Sequence, residues 1–293
     1  MLLLHLTNYG RVFCILAVLG QIEFMRTSHL IIGLALVLIN AYLALLAWQN
    51  PQFVEPPLLY WGLGAIGLFV VLSYASGKID LPGSLLGALI AMGIFVGGGF
   101  EALALLLLFF VLGTLASHHK RSAKQALGLA QENEGKRSVR HAFANGGVAG
   151  ICGFWAWCFP EYAPFWLAAL AASFATAMGD TFSSELGNVY GRHYVEILTF
   201  RPGERGLDGV ISLEGTLIGI GGSLLVALVY AALIGNAQFI LAVFIAGVAG
   251  NLLDSIYGAT LQRLEILTND SVNLLATVSG ALIGGGLALY FLL

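Results

Sequence analysis

Two carboxylate residues, Asp180 and Glu185, stand in the segment "ATAMGDTFSSELG" (residues 175–187), at the end of a very apolar stretch. A charged side chain at the centre of a bilayer costs roughly 2.5 to 3.5 kcal/mol on insertion scales. A third acid, Asp254, ends another apolar stretch in "GNLLDSIYGATLQR" (residues 250–263). Carboxylates at one membrane depth can share a divalent cation, and oxygen ligands suit Mg²⁺ that bridges a nucleotide phosphate. The three acids are therefore predicted metal ligands.

The spacing of Asp180 and Glu185 sets a condition on this metal site. Five residues apart on one α-helix, the two side chains point about 140° away from each other. They face one site only if the helix breaks near Gly179 or ends soon after Asp180. The structural alternative is that Asp180 caps the N-terminus of a short helix over "TFSSELG".

A second candidate cluster is the glycine-rich segment "RPGERGLDGVISLEG" (residues 201–215). Glycines let backbone N–H groups approach an anion closely, and N–H groups at a helix start favour negative charge. The segment lacks the Gly-Lys-Ser/Thr of a Walker A motif, so a plain turn followed by helix-packing glycines is an alternative. Charged side chains in the same loop favour phosphate or metal contact. The predicted participants are Arg201, Gly206, Asp208, Gly209 and Ser212.

The third cluster is a basic segment at residues 117–147, which holds six of the 13 Lys and Arg residues. Basic residues at a membrane boundary also orient a protein and touch anionic lipid without binding a substrate. Asn145, followed by two glycines at the start of an apolar stretch, needs a polar partner there. The predicted phosphate-binding and acceptor-orienting residues of this segment are Lys124, Lys136, Arg137, Arg140 and Asn145, and Asn273, outside the segment, is predicted to act with them.

Composition places all three clusters in a membrane protein. Of 293 residues, 58% are hydrophobic and 10% are charged, whereas soluble domains carry about 25% charged residues. A net charge of −3 gives no indication of nucleic-acid binding. The three cysteines form no CxxC pair and predict neither a zinc nor a redox site.

An all-α polytopic membrane fold is the expected architecture, because a bilayer-crossing helix needs about 20 mostly apolar residues. Nine spans are predicted, at residues 29–49, 57–77, 81–97, 100–117, 141–159, 163–180, 211–234, 238–258 and 272–293. Residues 29–293 form one integral membrane domain in this interpretation. Residues 1–28 form an N-terminal lead-in to which no function is given.

The basic residues also predict an orientation. The positive-inside rule makes the basic loop at residues 118–140 cytoplasmic. Alternation of the spans places the loops at residues 181–210 and 259–271 on the same side, and the loops predicted on the opposite side contain no Lys or Arg. We therefore expect the polar loops to face the cytoplasm and the C-terminus to lie on the other side of a bacterial inner membrane or a plastid-type membrane.

The polar clusters occur as an ordered series. Five segments within residues 117–293 resemble, in order, the motifs of the transmembrane protein 19 family: "RSAKQALGLAQENEGKRSVRHAFANGG", "ASFATAMGDTFSSELG", "GERGLDGVISLEGTLIGIGGS", "GNLLDSIYGATLQ" and "NDSVNLLATVSGALIGG". That family includes the phytyl-phosphate kinase of tocopherol biosynthesis. The "GDTFSSELG" element also looks like the Gly-Asp pattern of membrane phytol and dolichol kinases and of lipid cytidylyltransferases, which commonly use CTP. Two departures are Phe182, where Trp is common, and the basic "RPGERG".

The resemblance implies a kinase that acts on a lipid. It would transfer a phosphoryl group from a nucleoside triphosphate, with CTP favoured, to an isoprenyl monophosphate such as phytyl phosphate, and so form the diphosphate. Mg²⁺ is the implied cofactor, held by Asp180, Glu185 and Asp254, while Asp208, Asn145 and Asn273 orient the acceptor. Phosphoryl transfer needs mainly positioning and charge neutralisation, so the acceptor's own phosphate oxygen can attack.

Two other classes of protein fit part of the pattern. A secondary transporter of a small anionic or lipid substrate would line its path with broken helices and polar groups, near the midplane between inverted repeats. The acids in this chain gather at one face instead. A scaffold without a site would leave the coincidence of acidic and basic clusters unexplained, so a kinase is the predicted function.

Overall fold

The long apolar stretches fold into helices in the computed structural model, which describes residues 56–77, 79–129 and 138–292. The helices are α1 (Pro56–Ala75), α2 (Leu81–His118), α3 (Arg121–Ala126), α4 (Val139–Cys158), α5 (Ala163–Tyr190), α6 (Leu213–Ile234), α7 (Phe239–Tyr257) and α8 (Asn269–Leu292). A 3₁₀ turn, Pro160–Tyr162, precedes α5, and a π-helical turn, Gly258–Gln262, continues α7. Strands β1 (Tyr194–Glu196) and β2 (Val210–Ser212) pair antiparallel between α5 and α6. The predicted all-helical fold class is confirmed.

Six helical segments of the described part are long and apolar enough to cross a membrane: Pro57–Ala75, Leu81–His118, Pro160–Tyr190, Leu213–Ile234, Phe239–Gln262 and Asn269–Tyr290. The predicted span at residues 29–49 and the lead-in at residues 1–28 lie outside the described residues. The predicted span at residues 141–159 coincides with α4, which is not among the six. The count of nine spans and the sidedness of the loops stay predictions.

Helix α2 folds back on itself at Gly99, where φ is 63°, a backbone conformation that glycine adopts without steric cost. Phe69 of α1 touches both halves of α2. Its ring centroid lies 5.0 Å from that of Phe110, and its ring lies 4.0 Å from where a Cβ would stand at Gly87. In a straight helix residues 87 and 110 would be about 35 Å apart. The two halves therefore lie side by side, and the bend falls between the predicted spans at residues 81–97 and 100–117.

The centre of the bundle is α5, which packs against α2, α4, α6, α7 and α8. Residues 168–179 of this helix are all buried, and most of them are small. Small residues let helices approach closely, which is how helices associate inside membranes. At Gly179, for example, a Cβ would lie 2.6 Å from Ser223 Oγ of α6. This central position brings the acidic end of α5 against both α6 and α7.

The polar connections meet at one end of the bundle, which we call the polar end. Three side-chain contacts join them there: His119 Nε2 to the Tyr190 hydroxyl at 2.7 Å, Arg263 to Glu196 at 2.9 Å, and His141 to Asp270 at 3.7 Å. Helix starts at this end carry side-chain caps. Ser138 Oγ accepts from the His141 N–H at the start of α4, and Ser212 Oγ accepts from the Gly215 N–H at the start of α6. Such caps satisfy backbone donors that the first turn leaves unpaired.

Candidate functional site: an acidic cleft at the polar end

A cleft of about 230 Å³ lies at the polar end between α5, α6, α7 and the segment that joins β1 to β2. Three acids line it: Asp180 of α5, Asp208 of the joining segment and Asp254 of α7. The other polar side chains of the lining are hydroxyls and amides: Ser183, Ser184, Asn188, Tyr194, Ser212, Thr216, Asn251, Ser255, Gln262 and Asn269. Sites that enclose a drug-sized ligand usually exceed about 300 Å³. The cleft is therefore too small to enclose a whole drug-sized ligand.

At its centre is the acid pair, Asp180 and Asp254. The two carboxyl groups come from different helices and lie within hydrogen-bonding reach of each other, and Asp208 adds negative charge close to Asp254. Oriented to satisfy its neighbours, the Asn273 amide of α8 donates to Asp254 Oδ1 at 3.3 Å and to the Asn269 carbonyl at 3.1 Å. Adjacent carboxylates repel each other unless a proton or a cation lies between them. The acid pair can therefore share a proton or hold a cation.

The path of α5 determines which acidic side chains lie close to each other. The helix runs without a break to Tyr190, and the Ser184 hydroxyl donates to the Asp180 carbonyl within it. The helix break that Asp180 and Glu185 would need in order to face one site is absent from α5. The alternative in which Asp180 caps a short helix is wrong, because Asp180 lies inside a continuous one. Asp180 consequently faces α7, and Glu185 points elsewhere.

Glu185 forms a buried ion pair with Lys124 of α3, with Nζ 2.5 Å from Oε2. The two side chains are 7% and 2% exposed. Lys124 Nζ also donates to the carbonyls of Ser117 and Ala116 in the last turn of α2, at 2.8 and 3.2 Å. The three donors of the ammonium thus all have acceptors. Neither Lys124 nor Glu185 lines the cleft, so the structure does not bring together the three predicted metal ligands.

The glycine loop, residues 206–209, forms one wall of the cleft. Gly206 and Gly209 have φ of 86° and 71°, which favours glycine at both positions. A Cβ at Gly209 would lie 2.5 Å from the Cα of Ala259 in the π-helical turn, so only glycine allows this close approach. π-Helical turns are frequent at functional sites. The structure places Gly206, Asp208, Gly209 and Ser212, all predicted from the sequence, on the cleft.

Hydrogen bonds from Arg263 connect the glycine loop to the end of α7. Its Nε donates to the Asp208 carbonyl at 2.7 Å, and its Nη1 donates to Glu196 Oε1 at 2.9 Å. Burial raises the pKa of Asp208, and the positive charge of Arg263 opposes that rise. Burial also raises the pKa of Tyr194, whose ring lies under the Arg205 guanidinium at 5.7 Å from the centroid. Two arginines that do not line the cleft therefore lie beside two residues that do, Asp208 and Tyr194.

The remaining predicted residues lie elsewhere. Arg201 and Arg140 are exposed and do not line the cleft, and the charge of Arg140 lies near Asp270. Asn145 is buried in α4 and donates to the His141 carbonyl at 3.1 Å. Lys136 and Arg137 lie outside the described residues. The basic segment therefore contributes no described side chain to the lining of the cleft.

Sequence reasoning missed most of the hydroxyl and amide residues of the lining, among them Ser183 and Asn251. Ser183 Oγ donates to Asn251 Oδ1 at 3.2 Å, which ties α5 to α7 beside the acid pair. The sequence did contain a signal for these two residues, which is their spacing of three positions from the two acids. Ser183 follows Asp180 by three positions and Asn251 precedes Asp254 by three, and residues three apart share a helix face. An apolar helix that presents an acid and a second polar group on one face indicates a site.

A match to a family model shows which known proteins this chain is related to. The model described as "Integral membrane protein DUF92" matches residues 64–281, which is well over half of the sequence. The chain belongs to this family of integral membrane proteins. The matched region includes every residue that lines the cleft. The acidic cleft is thus part of the region that defines the family.

Family relatives come from archaea, cyanobacteria and plants. An uncharacterized membrane protein of Methanocaldococcus jannaschii is 39% identical over 193 residues, 64% of this chain and 76% of the relative. One from Synechocystis sp. is 31% identical over 269 residues, 90% of this chain and 95% of the relative. The chloroplastic protein VTE6 of Arabidopsis thaliana is 32% identical over 193 residues, 63% of this chain and 58% of the relative. The expected relation to the transmembrane protein 19 and phytyl-phosphate kinase family is confirmed. No solved structure matches the chain.

Proposed function

We propose that this DUF92 family member is a membrane-embedded kinase. It transfers a phosphoryl group from a nucleoside triphosphate, with CTP favoured, to an isoprenyl monophosphate such as phytyl phosphate, giving the diphosphate. The observation that carries the proposal is the acid pair, Asp180 and Asp254, inside a polar cleft at the end of an apolar bundle. The relation to protein VTE6 and to the phytyl-phosphate kinase family supports the reaction class.

Mg²⁺ is the proposed cofactor, and the acid pair suits it. Within the described residues no three His, Cys, Asp or Glu side chains form a metal-binding group. Mg²⁺ usually takes one or two carboxylates together with substrate phosphates and water, so a site of two carboxylates fits. When bound, the ion would neutralise phosphate oxygens of the nucleotide. We propose Asp180 and Asp254 as its ligands, and we assign Glu185 the separate task of fixing α3 through Lys124.

The proposed transfer needs no nucleophile from the protein. A phosphate oxygen of the acceptor attacks the γ-phosphorus, the bond from that phosphorus to the bridging oxygen breaks, and the nucleoside diphosphate leaves. Positioning and charge neutralisation accelerate such a reaction. In this proposal the glycine loop supplies backbone N–H groups for the phosphates. Asn273 holds Asp254 in place, and Asp208 lines the cleft.

The proposed orientation brings both substrates to the same depth. The polar end faces the cytoplasm in this proposal, as the positive-inside rule indicates. A water-soluble nucleotide then approaches from the cytoplasm, while the lipid acceptor stays in the bilayer. The small volume of the cleft agrees with this division, because only the phosphate groups have to fit inside it.

A transfer assay with the purified full chain tests the proposal. The protein in detergent is incubated with Mg²⁺, γ-labelled radioactive CTP or ATP, and a panel of prenyl alcohols and prenyl monophosphates. Three proteins are compared: wild type, Asp180→Asn, and Glu265→Gln as a matched control, since Glu265 is exposed at the polar end and does not line the cleft. We expect label on a prenyl monophosphate, a loss of at least about 10²-fold in Asp180→Asn, and wild-type transfer in Glu265→Gln.

Two outcomes would contradict the proposal. Transfer that survives in Asp180→Asn would remove Asp180 from the metal site. Failure to label any acceptor, together with substrate-dependent flux in liposomes, would favour a transporter instead.

A further inference from the structure

Two of the helices that wall the cleft, α6 and α7, also form part of the outer surface of the bundle. On α7, Leu241, Ile245 and Leu252 are 51%, 41% and 38% exposed. Steps of four and seven residues keep all three on one face of a helix. On α6, Leu213 and Leu217 are exposed in the same way. Exposed leucine stripes on membrane-spanning helices face lipid, because burial of apolar surface away from water is favourable.

Leu252 belongs to the lipid-facing stripe of α7 and also lines the cleft. Thr216 lines the cleft from α6, between the exposed Leu213 and Leu217. Helices α6 and α7 pack directly against each other. Leu252 and Thr216 therefore mark the place where the polar cleft reaches the lipid-facing surface.

The two sides of the cleft differ in character. Leu207 and Leu252 are 52% and 38% exposed and give the cleft lining apolar surface, whereas Asp180 and Asp254 are half-buried. On α7, Leu252 and Asp254 are two residues apart, so they project in nearly opposite directions from the helix axis, about 200° apart. A molecule with a charged head and an apolar chain matches this arrangement.

We propose that the acceptor lipid enters the cleft sideways from the bilayer, between α6 and α7, and that Leu252 contacts its isoprenyl chain next to the phosphate. This inference rests on the proposed function and adds to it a substrate port and a residue that determines specificity. The isoprenyl chain stays in lipid throughout, and only the phosphate passes Thr216 to reach the acid pair. Leu252 acts on the choice of acceptor, while the nucleotide binds from the aqueous side.

The test narrows the port with Leu252→Trp and uses Ile245→Trp as the matched control. The control places the same ring on the same stripe, about 10 Å further along α7. Both variants and wild type are reconstituted in nanodiscs. KM and kcat are then measured for nucleotide, for phytyl phosphate, and for dimethylallyl phosphate, a short acceptor that can reach the cleft from water.

The port predicts a selective effect on the long acceptor. Leu252→Trp should raise KM for phytyl phosphate about 10-fold or more, the scale on which apolar pockets discriminate chain size. KM for nucleotide and for dimethylallyl phosphate should stay at the wild-type value, and Ile245→Trp should change none of the three. If the Trp variant does not fold, Leu252→Ala must change the preference between the two acceptors while KM for nucleotide stays constant. An unchanged preference in a folded, active variant overturns the port and leaves the kinase intact.

A readout independent of turnover separates this inference from the proposed function. A photo-crosslinking amino acid is introduced at position 252 or at position 245, and each protein is irradiated in vesicles that contain radiolabelled phytyl phosphate. Stronger capture at position 252 supports the port even in a protein that transfers no phosphate. Equal capture at the two positions overturns the port whether or not the kinase assay succeeds.

Discussion

Asp180 and Glu185 lie five residues apart on α5, yet they have opposite surroundings. Glu185 is buried against Lys124, which also binds two carbonyls at the end of α2. Asp180 faces a second carboxyl group, that of Asp254, within hydrogen-bonding reach. The protein neutralises one of these acids with its own lysine and sets the other against a like charge.

In the proposed mechanism, this difference separates the acid with a structural role, Glu185, from the acid with a functional role, Asp180. A buried ion pair with satisfied hydrogen bonds holds two elements together and needs nothing from outside. Two facing carboxylates destabilise the fold unless a proton or a cation lies between them, and such violations of folding rules concentrate at functional sites. Mutation of the two sites should therefore give opposite patterns of activity and stability.

The largest expected effect is on catalysis, at the acid pair. Asp180→Asn or Asp254→Asn should lower kcat about 10³-fold, as when a main electrostatic stabiliser of the transition state is removed. The double variant should be little worse than either single one, because residues that act as a unit are not additive. Losses that multiply in the double variant would show that the two acids act separately.

The same variants should behave differently in unfolding measurements. Removing one of two facing charges relieves repulsion, so Tm without metal should be equal to that of wild type or higher. Mg²⁺ at ten times its Kd should stabilise wild type by about 1.4 kcal/mol. Neither Asp180→Asn nor Asp254→Asn should respond to Mg²⁺ in this way. A normal Mg²⁺ response in both variants would place the metal elsewhere.

Loss of one partner of the buried ion pair, Lys124 and Glu185, should show the reverse pattern, because it should lower the stability of the protein rather than its activity. Lys124→Met should destabilise the protein by about 3–5 kcal/mol, because it leaves the Glu185 carboxylate buried without a partner. Lys124→Met combined with Glu185→Met should recover most of that loss, since an apolar pair of similar size can replace a buried ion pair. Denaturant unfolding in detergent measures both. A large loss of transfer in folded Lys124→Met would instead support the phosphate-binding role predicted from the sequence.

Local signals explain what the sequence could predict. The membrane class and most helix positions follow from apolar runs. Asp180 and Asp254 stood out because charges are expensive in such runs. Gly206, Gly209 and Ser212 were predicted because a glycine-rich segment before an apolar helix favours anion binding.

Contacts between distant segments explain what the sequence could not predict. Glu185 finds its partner 61 residues away in the chain, on a short helix. Lys124 lies in a basic segment, and composition does not distinguish a buried cation from one that is free to bind phosphate. Gly179 could have marked a helix break, whereas in the structure it allows α6 to approach α5. The separation of Asp180 from Glu185 therefore depends on tertiary packing.

Two glycines give a further comparison, one in the cleft and one outside it. Gly209→Ala should cost about 1–3 kcal/mol, because φ is 71° and the new Cβ would collide with Ala259. It should also lower kcat by moving the glycine loop. Gly221→Ala adds the same methyl group in α6, where nothing lies within 4 Å of the new Cβ, and should stabilise by about 0.5–1 kcal/mol. Thermal unfolding and transfer assays on both variants measure the contrast. Equal effects would mean that the glycine loop has no special role.

The smallest effect should come from the exposed ion pair of Arg263 and Glu196, which are 2.9 Å apart. The hydrogen bond from Arg263 lowers the pKa of Glu196 below its ordinary value of 4.5. A carboxylate with a lowered pKa adds stability that is present above the unfolded-state pKa and is lost as the pH falls through the folded-state value. The Tm of wild type should therefore slightly exceed that of Glu196→Gln at neutral pH. The two values should converge as the pH falls below about 4.5.

Salt should distinguish this exposed pair from the buried one. High ionic strength screens exposed charges strongly and buried charges weakly. It should therefore remove most of the difference between wild type and Glu196→Gln and leave that between wild type and Lys124→Met almost unchanged. Equal salt sensitivity of the two differences would contradict the burial of Lys124 and Glu185. Lys124 and Glu185 would then again be candidates for contact with a bound phosphate or metal.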